Sequence, residues 1–216
     1  MRAGSFFKGV SAASFAELER CAVVRHFQQG ETLFSQGDSP REMYVIAKGR
    51  VKVWRATEEG VAITLTLLGP CAPLGTLGVQ DHPHNATATA LVPVEASAWG
   101  IEDMRRIMAS DPALAAIILR TVTNYAEQMI ERLEEVSSVP IEQRLARTLL
   151  RQAERAGEPD ELMLSRQDLA DLTSATLPTV SRIMSRWRRE RLIGGTRGKV
   201  RILDAARLAG VGEVGA

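Results

Sequence analysis

"SRQDLADLTSATLPTVSRIMSRWRRERLI", residues 165–193, decides how this chain is read. It holds two short apolar-periodic segments joined around Thr173–Thr176. Ser165 is suited to cap the first, with Asp168 at the third helical position completing the cap. Leu169, Ala170 and Leu172 are expected to face inward, and the small Ala170 lets a second helix cross closely. Thr176 or Leu177 opens that second helix. Pro178 suits its first turn, where no backbone N–H bond is lost. Val180, Ile183, Met184 and Trp187 form its buried stripe. Thr179, Ser181, Arg182, Arg186 and Arg189 are left on or near the exposed side.

Residues 177–192 contain five arginines and one glutamate. Alone, such a helix is most often a solvated charged face. Here cap, turn, basic helix and a following Gly-rich hairpin, "GGTRGKVRILD" (194–204), arrive in order. That order is the pattern of a winged helix-turn-helix, whose second helix lies in the major groove of double-stranded DNA. Arg182 is placed to pair with guanine O6 and N7, a contact worth roughly 1–3 kcal/mol of discrimination. Ser181 bonds a base or a phosphate. Pro178 shares the reading surface. Ser165, Arg166, Gln167, Thr176, Thr179 and Arg186 are expected at the backbone or groove, with Arg197 and Lys199 contributing from the wing. Phosphate contacts of this kind set register and not sequence.

Upstream the period changes. "IEQRLARTLLRQAERAG" reads as an amphipathic helix stopped by Gly157, and "ELMLS" as a short strand. Pro140 breaks the chain after "VSSV", placing a hinge at 137–141. Before it, Asp111-Pro112 opens a long helix running to about Ser137. Ile118, Val122, Tyr125, Met129, Leu133 and Val136 step by threes and fours, the narrow seam of a two-stranded coiled coil. A homodimer is expected, although the same stripe also suits packing on its own chain. From 25 to 101 the chain is short β-like runs punctuated by glycine, including "YVIAKG", "VKVW" and "AITLTLL". This suggests an antiparallel roll or barrel. Residues 14–24 read as a short helix with Phe15, Leu18, Cys21 and Val24 on one face. The fold class is therefore α+β: a cupin-like jelly roll (1–110), a dimerisation helix and hinge (111–139), and a winged helix-turn-helix (140–216).

Bulk properties agree. The net charge is +1, but 13 Lys/Arg stand against 16 Asp/Glu in residues 1–139, and 14 against 10 in residues 140–216. An acidic front and a basic back suit a polyanion partner at the C-terminal end. No apolar run approaches a membrane span, and "MRAGSFFKGV" lacks the features of a secretory leader, so a cytoplasmic protein is expected. Two cysteines, Cys21 and Cys71, are too few for a disulfide framework or a zinc finger.

Roll, seam helix and winged helix-turn-helix, in that order, resemble the CRP/FNR superfamily of bacterial transcription regulators. The resemblance covers about 15–205. "GETLFSQGDSPREMYVIAKGRVKVW" is similar to the family's roll signature, "SVPIEQRLARTLL" to the segment after its dimer helix, and "TVSRIMSRW" to the recognition helix of the FNR-like branch. The resemblance implies a homodimer on a palindromic site, with half-sites about one helical turn apart. If the protein is an activator, RNA polymerase is a further partner.

The departures bear on the signal. Cyclic-AMP-binding members carry a Glu in a Gly-x-Leu-Gly loop and an Arg-Ser pair some ten residues later. Here the loop is "GTLG" (75–78) with Thr76, and the pair is Ala86 and Thr87. A cyclic phosphate needs a charge-assisted partner, and no arginine lies between Arg55 and Arg105. The dimer-helix positions that meet adenine fall near Met129 and Ile130, both apolar. Cyclic AMP is thus not expected, and no cofactor is required. Iron–sulfur members need a cysteine cluster that Cys21 and Cys71 do not supply. Haem, or a metal ion on the His-x-His pair, stays open through His82 and His84 of "DHPHN", which are otherwise surface-loop residues, and Cys21 and Cys71 are a redox pair or simply structural thiols. FNR-like members read bases with a Glu at the position of Pro178, so Ser181 and Arg182 are expected to retain a TTG-type contact with one step relaxed. No nucleophile–base pair, metal cluster or phosphate loop supports an enzyme. A dimeric module whose basic helix binds an acidic protein is the alternative from another class.

Overall fold

The segment "EMYVIAK" (42–48) is apolar at nearly every position because both of its faces are covered. Tyr44 and Ile46 belong to a core between two sheets, with Leu33, Val51, Leu68, Leu74, Ala88 and Val94. Met43 and Val45 point the other way, into a second core with Phe7, Leu18, Trp99, Met104 and Ile107. The computed structural model describes residues 6–156, 161–196 and 198–213.

The chain divides into two compact units between Glu127 and Gln128. In the first, α1 (Ala12–Cys21) precedes β1 (Val23–Phe27), β2 (Thr32–Phe34), β3 (Glu42–Lys48), β4 (Val51–Ala56), β5 (Ala62–Leu68), β6 (Pro73–Leu74), β7 (Thr87–Ala90) and β8 (Val94–Gly100). A 3-10 turn spans Thr76–Gln80. The strands form two four-stranded sheets, ordered β1-β8-β3-β6 and β2-β7-β4-β5. Every pairing in them is antiparallel, as in the expected roll. Gly49 makes the β3–β4 turn at φ +93°, and a Cβ there would lie 2.4 Å from the carbonyl oxygen of Pro93. Only glycine fits that approach.

The helices α2 (Ile101–Ser110) and α3 (Pro112–Ser138) follow, separated by Asp111. The Asp111 carboxylate accepts the Ala113 N–H at 3.0 Å, so the Asp-Pro helix start stands. On α1, the Ser11 hydroxyl accepts the Ser14 N–H. Buried Trp99 donates its indole N–H to the Leu18 carbonyl at 2.8 Å, tying α1 to the roll.

Two expectations need correction. Val24 is not on the first helix: the chain turns extended at Ala22, and Val24 lies in β1 opposite Ser97, 57% exposed. Two adjacent β-branched valines favour a strand over another helical turn. The seam on α3 is also divided. Ile118 is buried in its own chain's core, and Tyr125 packs on the roll and donates its hydroxyl to the Pro73 carbonyl at 2.9 Å. The apolar residues that α3 leaves open are Leu119, Met129, Ile130, Leu133 and Val136.

The second unit contains the end of α3, then α4 (Ile141–Ala156), β9 (Leu162–Met163), α5 (Arg166–Leu172), α6 (Leu177–Arg189), β10 (Ile193–Gly194), β11 (Lys199–Ile202) and α7 (Ala205–Glu213). The small sheet is ordered β10-β11-β9. Gly157, the expected stop of α4, lies outside the described residues. The break after α3 is closed by Arg144, whose Nη1 donates to the carbonyls of Val136 (2.9 Å) and Val139 (3.0 Å). A guanidinium on the last carbonyls of a helix satisfies groups that have no partner within it.

Candidate nucleic-acid interface

The site begins at a cap. The Ser165 hydroxyl accepts the Asp168 N–H at 3.0 Å, and the Asp168 carboxylate accepts the Ser165 N–H at 3.1 Å. This reciprocal box fixes where α5 starts. The helix ends at Thr173, whose hydroxyl donates to the Leu169 carbonyl at 2.6 Å. Ser174 takes a left-handed turn (φ +50°), and the Ala175 N–H returns to the Ala170 carbonyl at 2.8 Å. The chain is thereby reversed within four residues. Thr176 caps α6 through the Thr179 N–H, and Pro178 sits in its first turn.

Val180, Ile183, Met184 and Trp187 anchor α6 in the core of the unit. The residues left outside are Leu177, Pro178, Arg182, Ser185, Arg186, Arg188 and Arg189, with Thr179 and Ser181 half-buried. Arg182 is exposed and makes no ion pair among the described residues. Arg166 at the start of α5 is likewise exposed and unpaired.

Other expected contacts are engaged within the chain. Gln167 donates to the Asp171 carboxylate at 2.7 Å, and the Thr176 and Thr179 hydroxyls share a hydrogen bond of 2.9 Å. Lys199 pairs with Glu161 at 2.9 Å, which holds the Glu161 carboxyl below its ordinary range. Arg186 pairs with Glu142, whose hydrogen bond and charge raise the Arg186 pKa. Arg197 lies outside the described residues.

Three residues escaped the sequence reading. Glu142, in the first turn of α4, also accepts the Trp187 indole N–H at 2.9 Å. In sequence it is indistinguishable from an acid favouring a helix N-terminus. Arg132 of α3 donates to the Asp171 carbonyl at the end of α5, and burial lowers its pKa. Glu135 accepts both terminal nitrogens of Arg151, at 2.6 and 2.9 Å. The fork raises the Arg151 pKa and binds α3 to α4.

In the first unit, His82 is exposed but His84 is not a surface residue. His84 is 9% exposed and stacks on Phe34 with ring centroids 3.9 Å apart, and burial lowers its pKa. It borders a cleft of about 830 Å³ with Arg25, Phe34, Arg41 and Tyr44. Among the described residues, no group of three or more His, Cys, Asp or Glu side chains gathers as a metal site. Cys21 and Cys71 are not joined by a disulfide; Cys21 is half-buried with its sulfur 3.9 Å from Arg106, and Cys71 is exposed in a turn at φ +67°. Thr76 is buried at the start of the 3-10 turn, Ala86 is buried, and the Thr87 hydroxyl accepts the Gln36 N–H at 3.0 Å. No helix among the described residues is long and apolar enough to cross a membrane.

Known proteins share this arrangement. Residues 24–111 match the cyclic nucleotide-binding domain family, and residues 143–211 match the Crp-like helix-turn-helix domain family. The chain is 27% identical over 215 residues to the CRP-like cAMP-activated global transcriptional regulator of Mycobacterium tuberculosis, covering 96% of each chain. It is 27% identical over 195 residues to the global nitrogen regulator of Synechococcus elongatus, covering 86% of this chain and 88% of that one. The structure of FixK2 from Bradyrhizobium japonicum superposes with a TM-score of 0.79 at 18% identity, over 90% of this chain and 99% of that one, which establishes the common fold. With a roll in the first unit, a capped helix-turn-helix and wing in the second, and relatives along its whole length, the chain belongs to the CRP/FNR family of DNA-binding transcription regulators.

Proposed function

We propose that this regulator binds a palindromic promoter site as a homodimer, reads each half-site with Ser181 and Arg182, and does so without cyclic AMP or any cofactor. The observation that carries the reading is Arg182: exposed, without an ion pair among the described residues, and held on a helix whose opposite face is locked by Trp187. Major-groove readout needs such a rigid helix with a free guanidinium near its N-terminal half.

The dimer is supported by the open stripe on α3. Leu119 is 67% exposed and Leu133 68%, which is unusual for large aliphatic residues at helical spacing. A second copy of the same helix covers such a stripe symmetrically. Each protomer then presents one α6, and an activator of this kind also meets RNA polymerase.

Independence from cyclic AMP is supported by the roll. A cyclic phosphate carries a charge that needs a cationic partner in a buried pocket. Residues 56–104 contain neither lysine nor arginine. Thr76 supplies no carboxylate, and the Thr87 hydroxyl, which accepts the Gln36 N–H, carries no positive charge. These residues do not fit a cyclic nucleotide.

The test is selection of random duplex DNA by the purified protein, with no ligand added, at near-physiological salt. A palindromic motif with TTG-like half-sites supports the whole reading. Sequence-blind but salt-sensitive binding would remove ligand independence. Absence of salt-dependent binding would favour an acidic protein as the partner of α6, since DNA binding falls steeply with salt through counterion release.

A further inference from the structure

The Glu142 carboxylate lies at the back of the recognition helix with two partners at once. Its Oε1 accepts the indole N–H of Trp187 at 2.9 Å and also pairs with the guanidinium of Arg186. Trp187 is fully buried, so that bond fixes the carboxylate beside α6. Arg186 is half-exposed, with 44% of its side chain open to solvent, and among the described residues its other acidic neighbour is Glu190 at 4.0 Å. Sequence spacing alone puts Arg186 on the DNA, because it follows Arg182 by one helical turn. The carboxylate on α4 turns its charge inward.

We infer that Glu142 is a specificity-setting residue: it withholds Arg186 from the DNA phosphates and keeps the sequence-blind part of binding small. The inference rests on the DNA-reading function proposed above. Non-specific affinity comes almost wholly from cations that displace counterions from the phosphates, whereas discrimination comes from base-edge contacts. A cation on α6 that is neutralised inside the protein adds nothing to the first term and leaves Arg182 to supply the second. Trp187 makes the arrangement durable, because moving the carboxylate away would strand a buried indole N–H.

Glu142→Gln separates the two roles. The amide oxygen still accepts from Trp187, but the charge that holds Arg186 is gone. Binding of the full-length protein to its selected site and to a scrambled duplex is measured from 50 to 300 mM salt. The scrambled duplex is expected to bind Glu142→Gln about three- to tenfold tighter at the low-salt end. The slope of log affinity against log salt steepens by about 0.9 per protomer, roughly 1.8 for a dimer, as one phosphate contact is gained on each half-site. Arg186→Ala alone leaves the wild-type slope unchanged, and Glu142→Gln/Arg186→Ala returns to it.

An unchanged slope in Glu142→Gln overturns the inference, as does a shallower slope in Arg186→Ala, which would put Arg186 on the DNA already. Should Glu142→Gln fail to fold by its unfolding transition, the Arg186→Ala slope decides alone. A wild-type protein showing neither a slope nor a preference for its selected site would overturn the DNA-reading function, and this inference with it. A purely structural role for Glu142 would move stability and leave the salt slope where it was.

Discussion

The carboxylate of Asp111 accepts the backbone N–H of Ser11 at 2.9 Å, joining the cap of α1 to the corner between α2 and α3 a hundred residues later. The Ser11 N–H, the hydroxyls of Ser11 and Ser14 and the Ala113 N–H all favour its ionised form, and they pull its pKa down to about 2. An acid whose pKa falls on folding stabilises the folded state above its unfolded value of 3.8, and that contribution is lost as the pH drops through about 2. Asp111→Asn should therefore melt at a lower temperature than the wild type at pH 5 to 7. The gap should close between about pH 4 and pH 2. A melting difference that stays constant down to pH 2 would show that the charge of Asp111 is not what matters.

Ser165 and Asp168 form both halves of a capping box. Ser165→Ala removes the acceptor for the Asp168 N–H and should cost about 1 kcal/mol of stability, within a range of roughly 0.5–2. Urea unfolding of the variant would show this as a lower midpoint with an unchanged slope. No measurable change in midpoint would mean that water replaces the cap without loss.

Leu133 is 68% exposed on α3, so its replacement leaves the protomer's own core intact. Leu133→Asp should raise the dimer dissociation constant by tenfold or more, since it puts a charge from each chain at the seam. Sedimentation equilibrium would read the shift. Retention of wild-type association would place the interface elsewhere. Ile118→Ala makes the contrast: it opens a cavity in the roll core and should destabilise the fold by about 2–5 kcal/mol.

Arg182 carries the base-reading prediction. Arg182→Ala should lose preference at one G·C pair per half-site, by about 1–3 kcal/mol, or some five- to 150-fold. Affinity for scrambled DNA should change far less. A uniform loss on every sequence would make Arg182 a phosphate contact.

Much of this was legible in the sequence because it is local. The Ser165–Asp168 cap, the proline in the first turn of α6 and the apolar stripe through Val180, Ile183 and Trp187 depend on residues three or four apart, and spacing displays them. The alternation of short strands and turn glycines displays the roll for the same reason. The error at Val24 is local too, a contest between helical period and β-branched preference at an element's end.

Identical spacing on α3 could not say which side meets the roll. Ile118 and Tyr125 fit the seam as well as Leu133 does, and only the packing of sheet on helix separates them. The partners of Arg186, Arg132 and Arg151 were hidden likewise, because Glu142, Asp171 and Glu135 lie 44, 39 and 16 residues away. Sequence by itself determined the fold class and the helix-turn-helix, since these follow from residue type and short-range period. Tertiary structure alone decided which arginines are free and which apolar side chains are open, because charge pairing and burial are set by residues that the chain brings together from far apart.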